Sequence, residues 1–244
     1  MIVNLTDEGW QIIYHRAHAL LAAQIAGYWE TPEDTSRLVD TIGAIAHHDD
    51  LEREWQGGHL TKAGAPLDFN LMGGEDLSVP QLYEHVENAL YRGRWVALLV
   101  SLHISFLSEG KRGEMPELDK FLDKQIDLRQ SWRESLGISE ADAEKAYAKM
   151  QCCDRLSLIL CQQQIPDGER WLEIAKGPTG EQHDIIQRGD KTLTVKPWPF
   201  TSTEFTVRVD ASHLTQMKFE SDEELVTSLK HAPTRSLEWT FVAP

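Results

Sequence analysis

The sequence predicts a mainly α fold with a small antiparallel β-rich C-terminal subdomain. Three observations lead there: apolar residues recur at helical spacing through most of residues 1–163, Gly and Pro punctuation thickens after Ile165, and short alternating runs rich in β-branched residues follow it. The expected organisation is a helical domain over 1–163 and a β-rich subdomain over 164–244 packed on the helices.

After a short apolar start, helical patterns cover 10–29, 32–54 and 80–91. A loop over 57–79 separates the second from the third and carries Gly57, Gly58, Gly64, Pro66, Gly73 and Gly74; loops this long in a compact domain are often functional. Two further helices follow over 95–107 and 116–135. Gly137 then breaks the pattern, and Ser139 with Asp142 forms a capping-box-like start to a last long helix over 141–164. Beyond it, 191–196, 204–209 and 237–242 are β-prone, the first alternating as Thr-Leu-Thr-Val-Lys. A short helix over 221–231 interrupts them, and its acidic first turn suits the helix dipole. The region after 164 has few large apolar residues spaced to make its own core, so Trp171, Trp198, Phe200 and Trp239 are expected to dock against the helices.

Charge and composition narrow the partners. A formal charge of -15 repels phosphate backbones and anionic membranes, which excludes duplex nucleic acid and leaves a small-molecule substrate held by local cations, with a homo-oligomer possible. The longest apolar stretch, 95–107, is about half a membrane span and is broken by Ser101, His103 and Ser105, so no membrane partner is expected. Residues 1–10 lack a basic segment followed by an apolar core, so no signal peptide is expected. Cys152, Cys153 and Cys161 fall on one helix, are odd in number and form no zinc spacing; core packing in a reducing cytoplasm accounts for them.

The residues that carry chemistry are polar groups on apolar stripes. Asp154 shares a stripe with Ala143, Ala146, Met150, Leu158 and Cys161, and a carboxylate placed there needs a cation or strong donors opposite. His18 shares one with Tyr14, Leu21 and Ile25, while Leu38, Ile42 and Ile45 lead directly into His48 and Asp49. His103 lies on the stripe of Val96, Leu99, Val100 and Leu107, and His85 is permissively spaced between Leu82 and Ala89. Any one of these alone is accounted for by a satisfied core histidine or a buried salt bridge. Together they aim imidazole nitrogens and carboxylate oxygens inward from separate helices, a donor set that suits iron, manganese, zinc or nickel without selecting among them. His47 and Asp50 flank the pair and suit the role of orienting a ligand imidazole. His59, His183, His213 and His231 are expected at the surface.

The order His18, His48-Asp49, Asp154 resembles the HD-domain metal-dependent phosphohydrolases. So do the local segments Ala44-Ile-Ala-His-His-Asp-Asp and Cys153-Asp-Arg-Leu-Ser. The whole chain also resembles an uncharacterised bacterial family of unknown function, through Leu99-Val-Ser-Leu-His and Pro197-Trp-Pro-Phe. The first resemblance implies an HD-like helical core in which His18, His48, Asp49 and Asp154 hold one or two divalent transition metal ions, with His103 and His85 as additional ligands. It further implies hydrolysis of a small phosphate ester or nucleotide, with Asp49 and His103 as catalytic side chains. Cations available to orient phosphate are Arg16, Lys62 and Arg155, with Arg92 and Arg94 behind them. A branch resembling inositol oxygenase implies instead two irons and oxygen chemistry, and a third reading is a non-catalytic module that binds metal or a small ligand.

Overall fold

Alternation in the first thirteen residues makes a hairpin. Ile2–Thr6 (β1) and Gly9–Ile13 (β2) pair antiparallel across the Asp7-Glu8 turn, from Ile2 opposite Ile13 to Thr6 opposite Gly9. Gly9 has φ +122°, and a Cβ there would lie 2.2 Å from the Leu214 carbonyl oxygen; only glycine permits that approach. The structure, a computed structural model, describes residues 1–30, 36–51, 54–72 and 78–244. The outer residues of the helix expected over 32–54, and residues 73–77 of the loop expected over 57–79, lie outside them.

Among the described residues, six α-helices precede the remaining strands: α1 (His15–Tyr28), α2 (Leu38–Ala46), α3 (Val79–Leu90), α4 (Arg94–Ser108), α5 (Pro116–Leu136) and α6 (Glu140–Cys161). Each long one has an identifiable start or stop. Pro116 opens α5 and Gly137 closes it in the left-handed region at φ 64°, while Ser139 and Asp142 complete a capping box on α6. α2 ends at Ala46, earlier than the sequence pattern suggests. The His48 Nδ1–H donates to the Ile45 carbonyl at 2.6 Å, taking an acceptor that a continuing helix would have used.

Strands β3 (Leu172–Lys176), β4 (Gln182–Gln187), β5 (Leu193–Lys196) and β6 (Glu204–Leu214) follow, then α7 (Asp222–His231) and β7 (Thr234–Val242). All seven strands form one sheet in the order β1-β2-β6-β7-β5-β4-β3. β2 joins β6 through Trp10 opposite Leu214 and Ile12 opposite Ser212, and β5 runs parallel to β7 at Leu193 opposite Phe241. The described residues are 48% helix and 21% strand. The expectation of a mainly α fold carrying a small antiparallel β subdomain is therefore corrected: the sheet is mixed, spans seven strands and takes its edge from the N-terminus. Residues 2–13 misled because a five-residue strand is too short to stand out, and Trp10 to Ile13 were absorbed into the apolar pattern of α1.

One core lies between helices and sheet, with Leu21, Ile25, Leu98, Leu99 and Phe121 in the same buried cluster as Phe205, Val207 and Phe241. Phe200 is buried against Trp29 and Phe205, and Trp198 packs edge-on to Phe200. Trp239 is half-buried against the same cluster. Trp171 departs from expectation: it is 48% exposed, just before β3, the outer strand of the sheet. The three cysteines are free and buried, and burial raises each thiol pKa.

Candidate metal centre

Four elements converge on one point. His18 comes from the first turn of α1, His48 and Asp49 from the turn after α2, His103 from the middle of α4 and Asp154 from α6. All three histidines are buried; the Asp49 and Asp154 side chains are 26% and 16% exposed, so the site has an open side. His18 Nε2 lies 2.8 Å from Asp49 Oδ2, His48 Nε2 lies 3.1 Å from Asp154 Oδ1, and His18 Nδ1 is 3.8 Å from that same oxygen. Two triads share His48: His18, His48 and Asp49 form one, and His48, His103 and Asp154 form the other, each with its ligand-type atoms within 4.8 Å of one another.

Hydrogen-bond accounting fixes what the inner nitrogens can do. Ser157 Oγ donates to the Asp154 carbonyl at 2.8 Å, so its lone pair accepts from His18 Nδ1–H at 3.1 Å. The Ile45 carbonyl can only accept, so His48 carries its proton on Nδ1 as well. Each imidazole therefore has its Nδ1–H committed outward, and each Nε2 faces a carboxylate oxygen. A neutral imidazole would set lone pair against lone pair there. Either a second proton or a cation has to lie between them.

The electrostatics follow from this packing. Burial pulls His48 down, but Asp154, by charge and hydrogen bond, and Asp49 outweigh it and raise the pKa to about 9. Asp49 and Asp154 are pushed up by burial, yet the facing imidazoles, His18 for the first and His48 for the second, hold both below the usual carboxylate range. His103 is lowered to about 4 by burial and by His48, so it is a neutral imidazole. Among the described residues, the charge partners of the two carboxylates are imidazoles.

The remaining candidates fall in different places. His85 is buried on α3 and lies outside both triads; its Nε2–H donates to the His48 carbonyl at 3.0 Å, bracing the turn that carries the His-Asp pair. His47 bonds Asp50 at 2.9 Å rather than a ligand imidazole. Arg16 reaches the Asp50 carbonyl at 2.9 Å and, with Asp50, His85 and Arg92, lines a cavity beside the site. Lys62 is exposed on the loop after Leu60, and Arg155 is half-buried on α6, next to Asp154 in sequence. His59 and His183, expected at the surface, are buried, the latter with Nδ1 on the Pro197 carbonyl and its ring edge on Trp29.

Sequence reasoning missed three supporting groups. Ser157 follows Asp154 by three positions and Tyr147 precedes it by seven, both on its helical face, and that spacing was the available signal. Tyr147 places its hydroxyl 3.5 Å from His103 Nδ1. Glu54 had no local signal: it caps α1 through His15 N–H at 2.8 Å, 39 residues away in sequence.

A family model described as "Protein of unknown function (DUF3891)" matches residues 1–216, and the chain belongs to that family. The match covers every element of the metal centre and stops before α7 and β7. No curated protein and no solved structure matches the chain.

Proposed function

From the site alone, since membership of this family assigns no reaction, we propose that the protein is a metal-dependent hydrolase of HD type, acting on a small phosphate ester. The observation that carries the reading is the pair of Nε2 atoms, on His18 and His48, turned onto Asp49 and Asp154 with both Nδ1–H groups already committed elsewhere. Imidazolium and carboxylate could also fill that space, and the raised pKa of His48 fits a proton there in the metal-free protein. A divalent ion would take the place of such a proton within one of the triads, and nitrogen with carboxylate oxygen is the set that iron, manganese, zinc and nickel accept.

Bound there, such an ion would supply Lewis acidity, lowering the pKa of a coordinated water and offsetting charge on phosphoryl oxygens. The chain's own residues would do the rest. His18 and His48 hold their ligand tautomer through Ser157 and Ile45. Asp49, partly open to solvent, orients and deprotonates the attacking water. His103, neutral and next to Asp154, is placed either as a further ligand or as a donor to a substrate oxygen.

The geometry favours one ion. His48 has a single free nitrogen, so it cannot serve both triads at once, and His85 spends its Nε2 on a backbone carbonyl. His85 belongs to neither triad, so a six-ligand pair of irons, as the oxygenase reading requires, would need its ring to move closer. The test is to strip the protein with chelator, reload it separately with manganese, iron, zinc and nickel, and follow both p-nitrophenyl phosphate hydrolysis and oxygen uptake. Metal-dependent hydrolysis that Asp49→Asn lowers by about a thousandfold supports the reading; oxygen uptake without hydrolysis, or no turnover with a metal bound, overturns it.

A further inference from the structure

We propose that the substrate is the phosphate monoester of a monosaccharide or polyol, its hydroxyl-bearing body held in the cavity between α1, α3 and the turn after α2. This deepens the hydrolase reading and rests on it. The cavity has a volume of about 310 Å³. That is at the low end for small-molecule sites, which run from roughly 300 to 1,000 Å³.

Its position is fixed by the metal centre. Asp50, in its wall, follows the ligand Asp49 directly, and His85, also in its wall, donates to the carbonyl of His48. None of the triad residues lines it, so a molecule with its phosphate at the centre would reach it with its other end across the turn of His48 to Asp50. Arg16 and Arg92 approach Asp50 from two sides, at 3.5 Å and 3.8 Å. Each guanidinium is also tied to a backbone carbonyl, of Asp50 and Asn88, at 2.9 Å and 3.0 Å. Both are thus held in place with donors to spare, since a guanidinium has five N–H groups.

The chemistry of the wall selects the class. Gln81 and Asn88 bring amides, Asp50 and Glu84 carboxylates, and Arg16 and Arg92 matching positive charge. Hydroxyl groups donate and accept at once, so a wall mixing acceptors with donors and balancing its charges recognises a polyhydroxylated ligand. A second strong anion would instead call for a cationic excess, which is missing. The apolar lining is confined to Leu51 and Tyr91, and Tyr91 is 91% exposed. A nucleobase gains most from stacking, and the wall offers little apolar surface beyond Leu51 and the exposed Tyr91, so the cavity favours a sugar over a nucleotide.

The experiment uses the whole metal-loaded protein with glucose 6-phosphate, adenosine 5′-monophosphate and p-nitrophenyl phosphate as probes. Binding is read by calorimetry and turnover by phosphate release. The expected result is kcat/KM for glucose 6-phosphate at least about tenfold above the other two, with Gln81→Ala and Asn88→Ala raising its KM about tenfold while kcat and the melting temperature hold. Hydrolysis of all three with equal efficiency, or preference for the nucleotide, overturns the subsite and leaves the hydrolase reading standing. Binding of glucose 6-phosphate without any hydrolysis supports the subsite and sinks the reaction. If no probe either binds or reacts, both are overturned.

Discussion

At the scale of single residues, the argument depends on where protons and charges go. Asp154 balances cations: in the metal-free protein it is compensated by His48, and a bound ion would take over from the His48 proton. Asp154→Ala should therefore cost the metal-loaded protein more stability than the metal-free one, by about 2 kcal/mol or more, read as the difference between melts with and without added metal. Equal losses would mark a structural salt bridge. Glu54 makes a separate prediction about pH. Burial raises its pKa, but the His15 ring, the Met1 amine and backbone donors outweigh that and hold it at about 2, below its ordinary 4.5. A lowered carboxylate pKa stabilises the fold above the unfolded value, and that stability is lost as pH falls through the folded one. Wild type should thus lose up to roughly 3 kcal/mol between about pH 5 and pH 2 that Glu54→Gln does not lose, and parallel acid melts would contradict the assignment. The inward histidines and Asp154 were legible in sequence because a polar group on an apolar helical stripe is conspicuous. Ser157, Tyr147 and Glu54 were not, because a serine or tyrosine is ordinary on such a face and Glu54 acts across 39 residues.

At the scale of elements, the helices were readable, as were the strands expected over 191–196, 204–209 and 237–242, but the extent of the sheet was not. The capping box at Ser139 and the stop at Gly137 are written in adjacent residues, and α5 and α6 follow them closely. The hairpin of β1 and β2 is held by a partner two hundred positions away, since Trp10 pairs with Leu214, and no local pattern records that. Likewise α2 stops because a side chain, His48, takes the Ile45 carbonyl, an event that periodicity cannot anticipate. Gly9 is the residue on which the hairpin's attachment turns. Gly9→Ala should cost about 2 to 4 kcal/mol, because its φ of +122° is strained for any side chain and its Cβ would overlap the Leu214 carbonyl. Chemical denaturation measures it. A variant within about 0.5 kcal/mol of wild type would mean that β2 is not anchored on β6 as described.

At the scale of the whole molecule, helices and sheet share one core, and neither covers its apolar face alone. Removing residues 166–244 takes away β6 and strips the partner from β2, exposing Ile12, Leu21 and Ile25 among others. The remaining fragment should aggregate or bind a hydrophobic dye without a sharp melt; a soluble, cooperatively melting fragment with full metal content would show the strands to be accessory. The same assembly brings α1, α4, α6 and the turn after α2 to one point, so that the candidate metal site is a property of the fold and not of any one segment. The most direct test is therefore elemental analysis of the full-length protein, purified without a metal-binding tag, beside Asp154→Ala. The account predicts about one transition metal ion per chain in the wild type and a melting temperature that falls on chelation, with both lost in the variant. No transition metal in the wild type, with a melt that chelator and added metal leave unchanged, would contradict it.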